Sequence, residues 1–161
     1  MALGDNTLRS AAGNSQRGRN PYMVETTLNW ATALSDKGSA LAASDVIPVI
    51  AVPKGTMILN AGIEVDTATD GSTFTVDLGT GVDADVFVDG FDATSAAAVV
   101  AQNPAAYQPV MAVADDNIDV TIASLSGGAV TSGKFRVWAV LMDCTAMGDT
   151  AANEVARDAL A

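Results

Sequence analysis

Between Lys54 and Lys134 the chain contains no lysine or arginine, yet it holds most of its acidic residues there. Apolar and polar residues alternate within this stretch, as in IEVD at residues 63–66 and TFTVDL at residues 73–78. Successive side chains of a strand point to opposite faces, so this period of two predicts strands with one dry face and one acidic, wet face. Turn signals such as Pro-Lys-Gly and Asp-Gly divide the runs. The stretch is therefore constrained to short β-strands.

The same signals recur along most of the chain. We predict about eight strands, at Val24–Trp30, Val46–Val52, Met57–Val65, Thr73–Leu78, Val86–Val88, Val110–Val113, Asn117–Ala123 and Lys134–Asp143. The third and fourth should form a hairpin around residues 69–72. Pro48 and Pro53 place the second strand at a sheet edge or a bulge. Short strands at this spacing predict an all-β fold, an antiparallel, jelly-roll-like β-sandwich.

The chain of 161 residues fits one folded domain with two flanking segments. We expect an extended polar N-terminal arm at residues 1–22, the sandwich at residues 23–145 and a helical tail at residues 146–161. A short alanine-rich helix is expected at Thr94–Gln102, ended by Asn103-Pro104, and a C-terminal helix at residues 149–160. Because only 5% of the residues are aromatic, the core should be thin and built from small side chains.

The net charge of −11 excludes nucleic acid and anionic membranes as expected partners, because binding to them needs clustered lysine and arginine. The sequence shows no apolar signal-peptide core and no run of the ~20 apolar residues that span a bilayer. The single cysteine, Cys144, cannot form an intrachain disulfide, which fits synthesis in the cytoplasm.

The N-terminal arm is cationic, since it carries three of the eight basic residues, Arg9, Arg17 and Arg19. Its polar composition cannot bury enough apolar surface to order itself. Two interpretations stay open: a frayed terminus, or a docking arm that orders against an acidic surface of its own subunit or of another. We take the three arginines as candidate contacts.

The last predicted strand, Lys134–Asp143, is apolar on both faces. Phe135, Val137, Ala139 and Leu141 share one face, and Trp138, Val140, Met142 and Cys144 share the other. A sheet of a two-layer sandwich meets the core with one face only, so the second face must be covered by a third layer or another subunit. Trp138, Val140 and Met142 are therefore candidates for an oligomer interface.

The residues for common catalytic chemistry are missing. The chain has no histidine, which removes the usual general base and histidine-ligated zinc. Residues 79–81 lack the lysine of a phosphate-binding loop, and a carboxylate pair would need an aromatic-lined sugar cleft. The carboxylates at Asp83–Asp92 and Asp115-Asp116 suit calcium, but solvated turn residues explain them better. We expect no enzyme, no metal and no cofactor.

Four segments resemble small virion proteins of tailed bacteriophages, the head decoration or cement proteins on the outside of the capsid. These segments are VIAVPKGT at 49–56, GIEV at 62–65, DLGTG at 77–81 together with Asp89-Gly90, and GKFRVWAV at 133–140. The resemblance covers about residues 45 to 143 and leaves out the arm and the tail.

This resemblance implies a β-sandwich body, often trimeric, that bridges neighbouring capsomers and resists internal DNA pressure. The implied partner is the major capsid protein, and the implied location is the virion exterior after synthesis in the host cytoplasm. Two alternatives remain open. One is another structural virion component, such as a head fibre base or a tail protein. The other is a carbohydrate-binding module, which would need a planar aromatic platform.

Overall fold

The computed structural model describes residues 20–96, 99–101 and 109–144. Within these residues lie nine strands and one helix: β1 Tyr22–Asn29, α1 Trp30–Lys37, β2 Val46–Val52, β3 Thr56–Thr67, β4 Thr73–Thr80, β5 Val88–Asp92, β6 Val99–Ala101, β7 Val110–Met111, β8 Asp116–Ser126 and β9 Lys134–Asp143. The arm with Arg9, Arg17 and Arg19, and the tail with its expected helix at residues 149–160, lie outside the described residues. The predicted domain boundaries at residues 22 and 145 remain predictions.

The strands form two antiparallel sheets. The first sheet has the order β1-β9-β3-β6, and β7 also pairs with β3. The second sheet has the order β2-β8-β4-β5. The first and last strands thus pair with each other, and the chain then passes back and forth between the sheets, which is the strand order of a jelly roll. The predicted antiparallel, jelly-roll-like β-sandwich is confirmed.

The core lies between the inner faces of the two sheets, and its centre is aromatic. Trp30, Phe74 and Phe135 are fully buried, and the Trp30 ring meets the other two edge to face at 4.8 and 5.2 Å between centroids. Such pairs add about 1 kcal/mol each to the burial of the rings. The prediction of a thin core of small side chains is therefore wrong at the centre. It overlooked that the few aromatic residues converge at one place.

Helix α1 was not predicted, because Trp30 was assigned to the preceding strand. The side chain of Asn29 accepts a hydrogen bond from the N–H of Ala31 at 3.0 Å and so caps the helix start. Gly38 ends the helix with a φ of 68°, a left-handed conformation that glycine adopts without steric cost. The polar run Ser-Asp-Lys-Gly-Ser at residues 35–39, which is typical of a turn, therefore contains the end of a helix.

The predicted hairpin at residues 69–72 is wrong, since β3 lies in the first sheet and β4 in the second. The connection crosses the end of the sandwich, where the Asp70 carboxylate accepts hydrogen bonds from the N–H groups of Thr131 (2.9 Å) and Ser132 (3.2 Å). The Thr131 hydroxyl also donates to Asp70. These bonds lower the pKa of Asp70 to about 2. An Asp-Gly turn signal is compatible with either connection, and strand pairing decides between them.

Three further predictions can be compared with the structure. Strand β2 lies at the edge of the second sheet and its register shifts between Pro48 and Ile50, as the prolines indicated. The helix expected at Thr94–Gln102 is wrong, because residues 99–101 form β6 against β3. The strand expected at Val86–Val88 begins later, at Val88, because residues 81–87 fold back over the second sheet.

Candidate interaction surfaces

The outer face of the first sheet carries a continuous row of apolar side chains. Met23 lies opposite Val140 on β9, Met142 lies opposite Met57 on β3, and Met57 lies opposite Met111 on β7. We call these five residues the methionine strip. Met23 is 60% exposed, and Val140 and Met142 are only half-buried. Methionine side chains are flexible and adapt to irregular partners, so such a strip suits an interface.

Trp138 continues the methionine strip towards the other end of β9. It lies between Glu25 on β1 and Gly62 on β3, and it is half-buried. One residue pair further along, Arg136 forms ion pairs with Glu64 and, at 3.8 Å, with Glu25. The outer face of the first sheet therefore has an apolar half and a charged half, and Trp138 stands at their border.

The sequence pattern predicts that Trp138, Val140 and Met142 share one face, and the strand register places all three on the outer face of the first sheet. Met23, Met57 and Met111 were not predicted to lie there, because their strands show no second apolar face of their own. Only the pairing of four strands brings these methionines beside β9. Arg9, Arg17 and Arg19 lie outside the described residues, so the proposed contacts of the arm remain predictions.

The outer face of the second sheet is polar and is partly covered by the chain itself. Residues 81–87 fold back so closely that a Cβ at Gly79 would lie 2.1 Å from the carbonyl oxygen of Asp83. Asp119 lies opposite Gly79 and is buried under this cover. Burial, with a smaller contribution from the charge of Asp116, raises the pKa of Asp119. No comparable apolar row occurs on this face.

The carboxylates of the covering segment lie close to one another. A side-chain hydrogen bond with Asp83, together with burial and the charges of Asp83 and Asp89, raises the pKa of Asp85. Within residues 20–96, 99–101 and 109–144, however, no group of three or more acidic or cysteine side chains is arranged to hold a metal ion. The segment therefore presents an acidic surface.

A cleft of about 450 Å³ opens at one end of the sandwich, between the ends of the two sheets. We call it the end cleft. Its floor and walls are mainly apolar, and its rim carries Asp115 and Asp116. The apolar lining residues are Val52, Ile58, Val82, Val110, Met111, Ala112, Val113 and Ala114. Val82 and Val113 are 89% and 78% exposed, which is unusual for valine side chains beside an apolar cavity.

The described residues show no assembled catalytic group. Cys144, the single thiol, is half-buried at the end of β9, where its N–H donates to the carbonyl of Gly55 at 2.8 Å. The hydrogen bonds between Asp70 and Thr131 and the ion pairs of Arg136 connect strands or loops. None of the helices in the described part of the chain is long and apolar enough to cross a membrane.

Comparisons with known proteins identify the fold. No protein-family model and no curated protein matches the sequence. Among solved structures, a chain of the cyanophage Pam1 capsid asymmetric unit is similar over 88% of this chain and 97% of its own, with a TM-score of 0.61 and 16% identity. A chain of the capsid of Ralstonia phage GP4 is similar over 90% and 94%, with a TM-score of 0.57 and 16% identity.

A third similar chain belongs to the acidic stable capsid structure of Helicobacter pylori bacteriophage KHP30. The similarity covers 78% of this chain and 89% of that one, with a TM-score of 0.54 and 12% identity. Identities this low establish a shared fold and not a shared role. The chain thus has a β-sandwich fold that also occurs in the capsids of three phages.

Proposed function

We propose that this protein is a structural virion protein that decorates the outside of a phage capsid and stabilises it by bridging capsomers. The observation that carries the proposal is the jelly-roll body with an apolar outer face on its first sheet, joined to a fold shared with chains of three phage capsids. The proposed partner is the major capsid protein. Neither nucleic acid nor membrane is part of the proposed contact.

The test is assembly of heads with and without this protein. Heads that lack it are expected to assemble but to lose DNA or rupture at lower temperature than complete heads. Adding the purified protein back should restore the stability. Heads of equal stability with and without the protein would contradict a cementing role, even if the protein remained bound.

We further propose that the protein acts as a homo-oligomer, most simply a trimer, formed through Trp138, Val140 and Met142 with the rest of the methionine strip. The support is that the methionine strip and Trp138 are apolar and only half-buried or exposed, whereas the outer face of the second sheet is polar and partly covered by residues 81–87. Sedimentation of the isolated protein tests this. A monomer at tens of micromolar would contradict oligomerisation in solution.

The N-terminal arm is the proposed anchor on the capsid, with Arg9, Arg17 and Arg19 as its candidate contacts. The support is the charge distribution, because residues 20–144 hold fifteen acidic and only four basic residues. Charge-assisted hydrogen bonds from arginine to carboxylates are about twice as strong as neutral ones. Removal of residues 2–19 should leave the body folded and oligomeric but release it from capsids.

The role is proposed to be non-enzymatic, in keeping with the absence of histidine from the sequence. A different structural virion component, such as a head fibre base or a tail protein, is the alternative role for this fold. The number of copies per particle separates the two, since decoration requires hundreds and a tail component requires a handful. Mass spectrometry of purified particles gives that number.

A further inference from the structure

Among the residues that the structure describes, the end cleft is an apolar concavity whose position, charge and surroundings together indicate an occupant. We propose that it binds the segment Leu8-Arg9 of the chain's own N-terminal arm, with Leu8 on the apolar floor and Arg9 on the carboxylate rim. The proposal concerns a single free subunit, so it holds or fails independently of the capsid role.

The apolar lining of the end cleft is partly exposed. Val82 and Val113 line the cleft and are largely exposed, whereas Val52 and Ile58, which also line it, are buried. A leucine side chain that enters such a concavity gains about 2 kcal/mol from burial and also covers the two valines. The arm contains only two leucines, and Leu8 is the one followed directly by a basic residue.

The negative charge of the rim favours binding of the cationic arm over binding of the acidic C-terminal tail. Asp115 and Asp116 take part in none of the ion pairs of the described residues, which involve Lys37 and Arg136. The second oxygen of each remains for a cation, because only one oxygen of each accepts a backbone N–H. The tail, residues 145–161, carries three acidic residues and one arginine, so this rim repels it.

The distance from the start of β1 to the cleft is short enough for the arm. Tyr22 pairs with Leu141, and Leu141 pairs with Ile58, which lines the end cleft. Strand β1 therefore begins at the end of the sandwich where the cleft lies. Three strand spacings separate β1 from β7, about 14 Å. Twelve residues lead from Leu8 to Asn20 and can extend to about 40 Å. Docking within one subunit therefore needs no stretching, and its effective concentration is in the millimolar range.

Such docking changes what the rest of the arm presents. Residues 10–19 become a closed loop at the end of the sandwich instead of a free tail. Arg17 and Arg19 then lie at a defined place, which lowers the entropy lost when they bind an acidic surface. The end cleft thereby holds the arm at a fixed position on the subunit.

Cysteine cross-linking in the full chain tests whether the arm docks in the end cleft. In a Cys144→Ser background, Thr7→Cys, which leaves Leu8 and Arg9 intact, is combined with Val113→Cys in the cleft lining, and the protein is incubated with oxidised glutathione at low micromolar concentration. The matched control combines Thr7→Cys with Val46→Cys, since Val46 is also exposed (55%) but lies at the far end of β2, about 20 Å from Val52. The intrachain disulfide should form at least about tenfold faster in the cleft pair, because docking raises the local concentration of the thiol.

Equal rates in the cleft pair and the control pair would overturn the proposal. Disulfide-linked dimers as the main product would also overturn it, because the occupant would then be the arm of a second copy. Addition of Arg9→Glu to the cleft pair should reduce its rate severalfold at low salt and much less in 0.5 M NaCl, where ion pairs are screened. An unchanged rate with Arg9→Glu would overturn the assignment of Arg9 to the carboxylate rim.

Discussion

The two sheets differ in how their outer faces are treated. Part of the outer face of the second sheet is covered by residues 81–87, which fold so closely over Gly79 that no side chain fits there. The outer face of the first sheet carries the methionine strip and Trp138, which stay half-buried or exposed. One sheet is therefore polar and partly covered by its own chain, whereas the other presents an apolar strip at its surface.

This difference suggests that the outer faces of the two sheets have different roles. The close packing of residues 81–87 over Gly79 contributes to the stability of the subunit, and the open apolar strip of the first sheet contributes to the proposed association. Substitutions on the second sheet should then change unfolding, while those on the first should change the oligomeric state. The following four substitutions test whether the two outer faces have these different roles, in order of decreasing expected effect.

Gly79→Ala should have the largest effect, a loss of about 3 kcal/mol in the free energy of unfolding, because the new methyl group overlaps the backbone of Asp83 and Ala84. Urea unfolding measures it. Gly90→Ala is the control: its Cβ meets nothing within 4 Å, and only its φ of 62° is unfavourable. That costs about 1 kcal/mol. Equal losses for the two variants would mean that residues 81–87 do not cover the sheet.

Trp138→Glu should weaken the proposed association by about 2 kcal/mol per interface, because the proposed interface loses a tryptophan and gains a charge beside its apolar strip. Sedimentation equilibrium measures the association, and urea unfolding of the monomer should change less. Val46→Glu on the exposed outer face of the second sheet is the matched control and should leave association unchanged. If both variants dissociate the oligomer equally, the two faces do not differ as argued.

Asp119→Asn should raise the free energy of unfolding by about 1 kcal/mol at pH 7, because it removes a charge from a buried position. A raised pKa penalises the folded state fully above the folded-state value, and the penalty disappears below the ordinary value of 3.8. The gain should therefore vanish near about pH 3. Urea unfolding at both pH values measures it.

Asp70→Asn is the control, because its effect on the free energy of unfolding at pH 7 should have the opposite sign. The pKa of Asp70 is lowered to about 2, so its stabilisation is present above pH 3.8 and is lost as the pH falls through about 2. This variant should be less stable than the parent protein at pH 7. A destabilised Asp119→Asn protein at pH 7 would show that the carboxylate has a favourable partner.

Glu25→Gln should have the smallest effect, below about 0.5 kcal/mol in unfolding, because its ion pair with Arg136 is about half exposed and 3.8 Å long. Thermal unfolding at low and high salt measures it, and the small difference should disappear in 0.5 M NaCl. A larger loss that appears in association rather than in unfolding would extend the interface into the charged half of the face.

Much of the architecture could be predicted from residue order. Strands β2, β3, β4, β8 and β9 overlap their predicted ranges, and β9 matches its predicted range at both ends. The edge position of β2 followed from Pro48. Errors occurred where one signal fits two structures: residues 69–72 connect two sheets rather than a hairpin, and an alanine-rich run contains β6.

The sequence by itself determined the fold class, the acidic net charge and the presence of apolar residues on both faces of β9, because these depend on local periodicity and composition. Only the tertiary structure decided which strands pair, and hence which side chains share a face. The methionine strip combines residues from four strands, and the end cleft combines residues from β2, β3, β4 and the segment around β7. Such surfaces arise from long-range pairing, whose register depends on the packing of both sheets and leaves no local pattern in the chain.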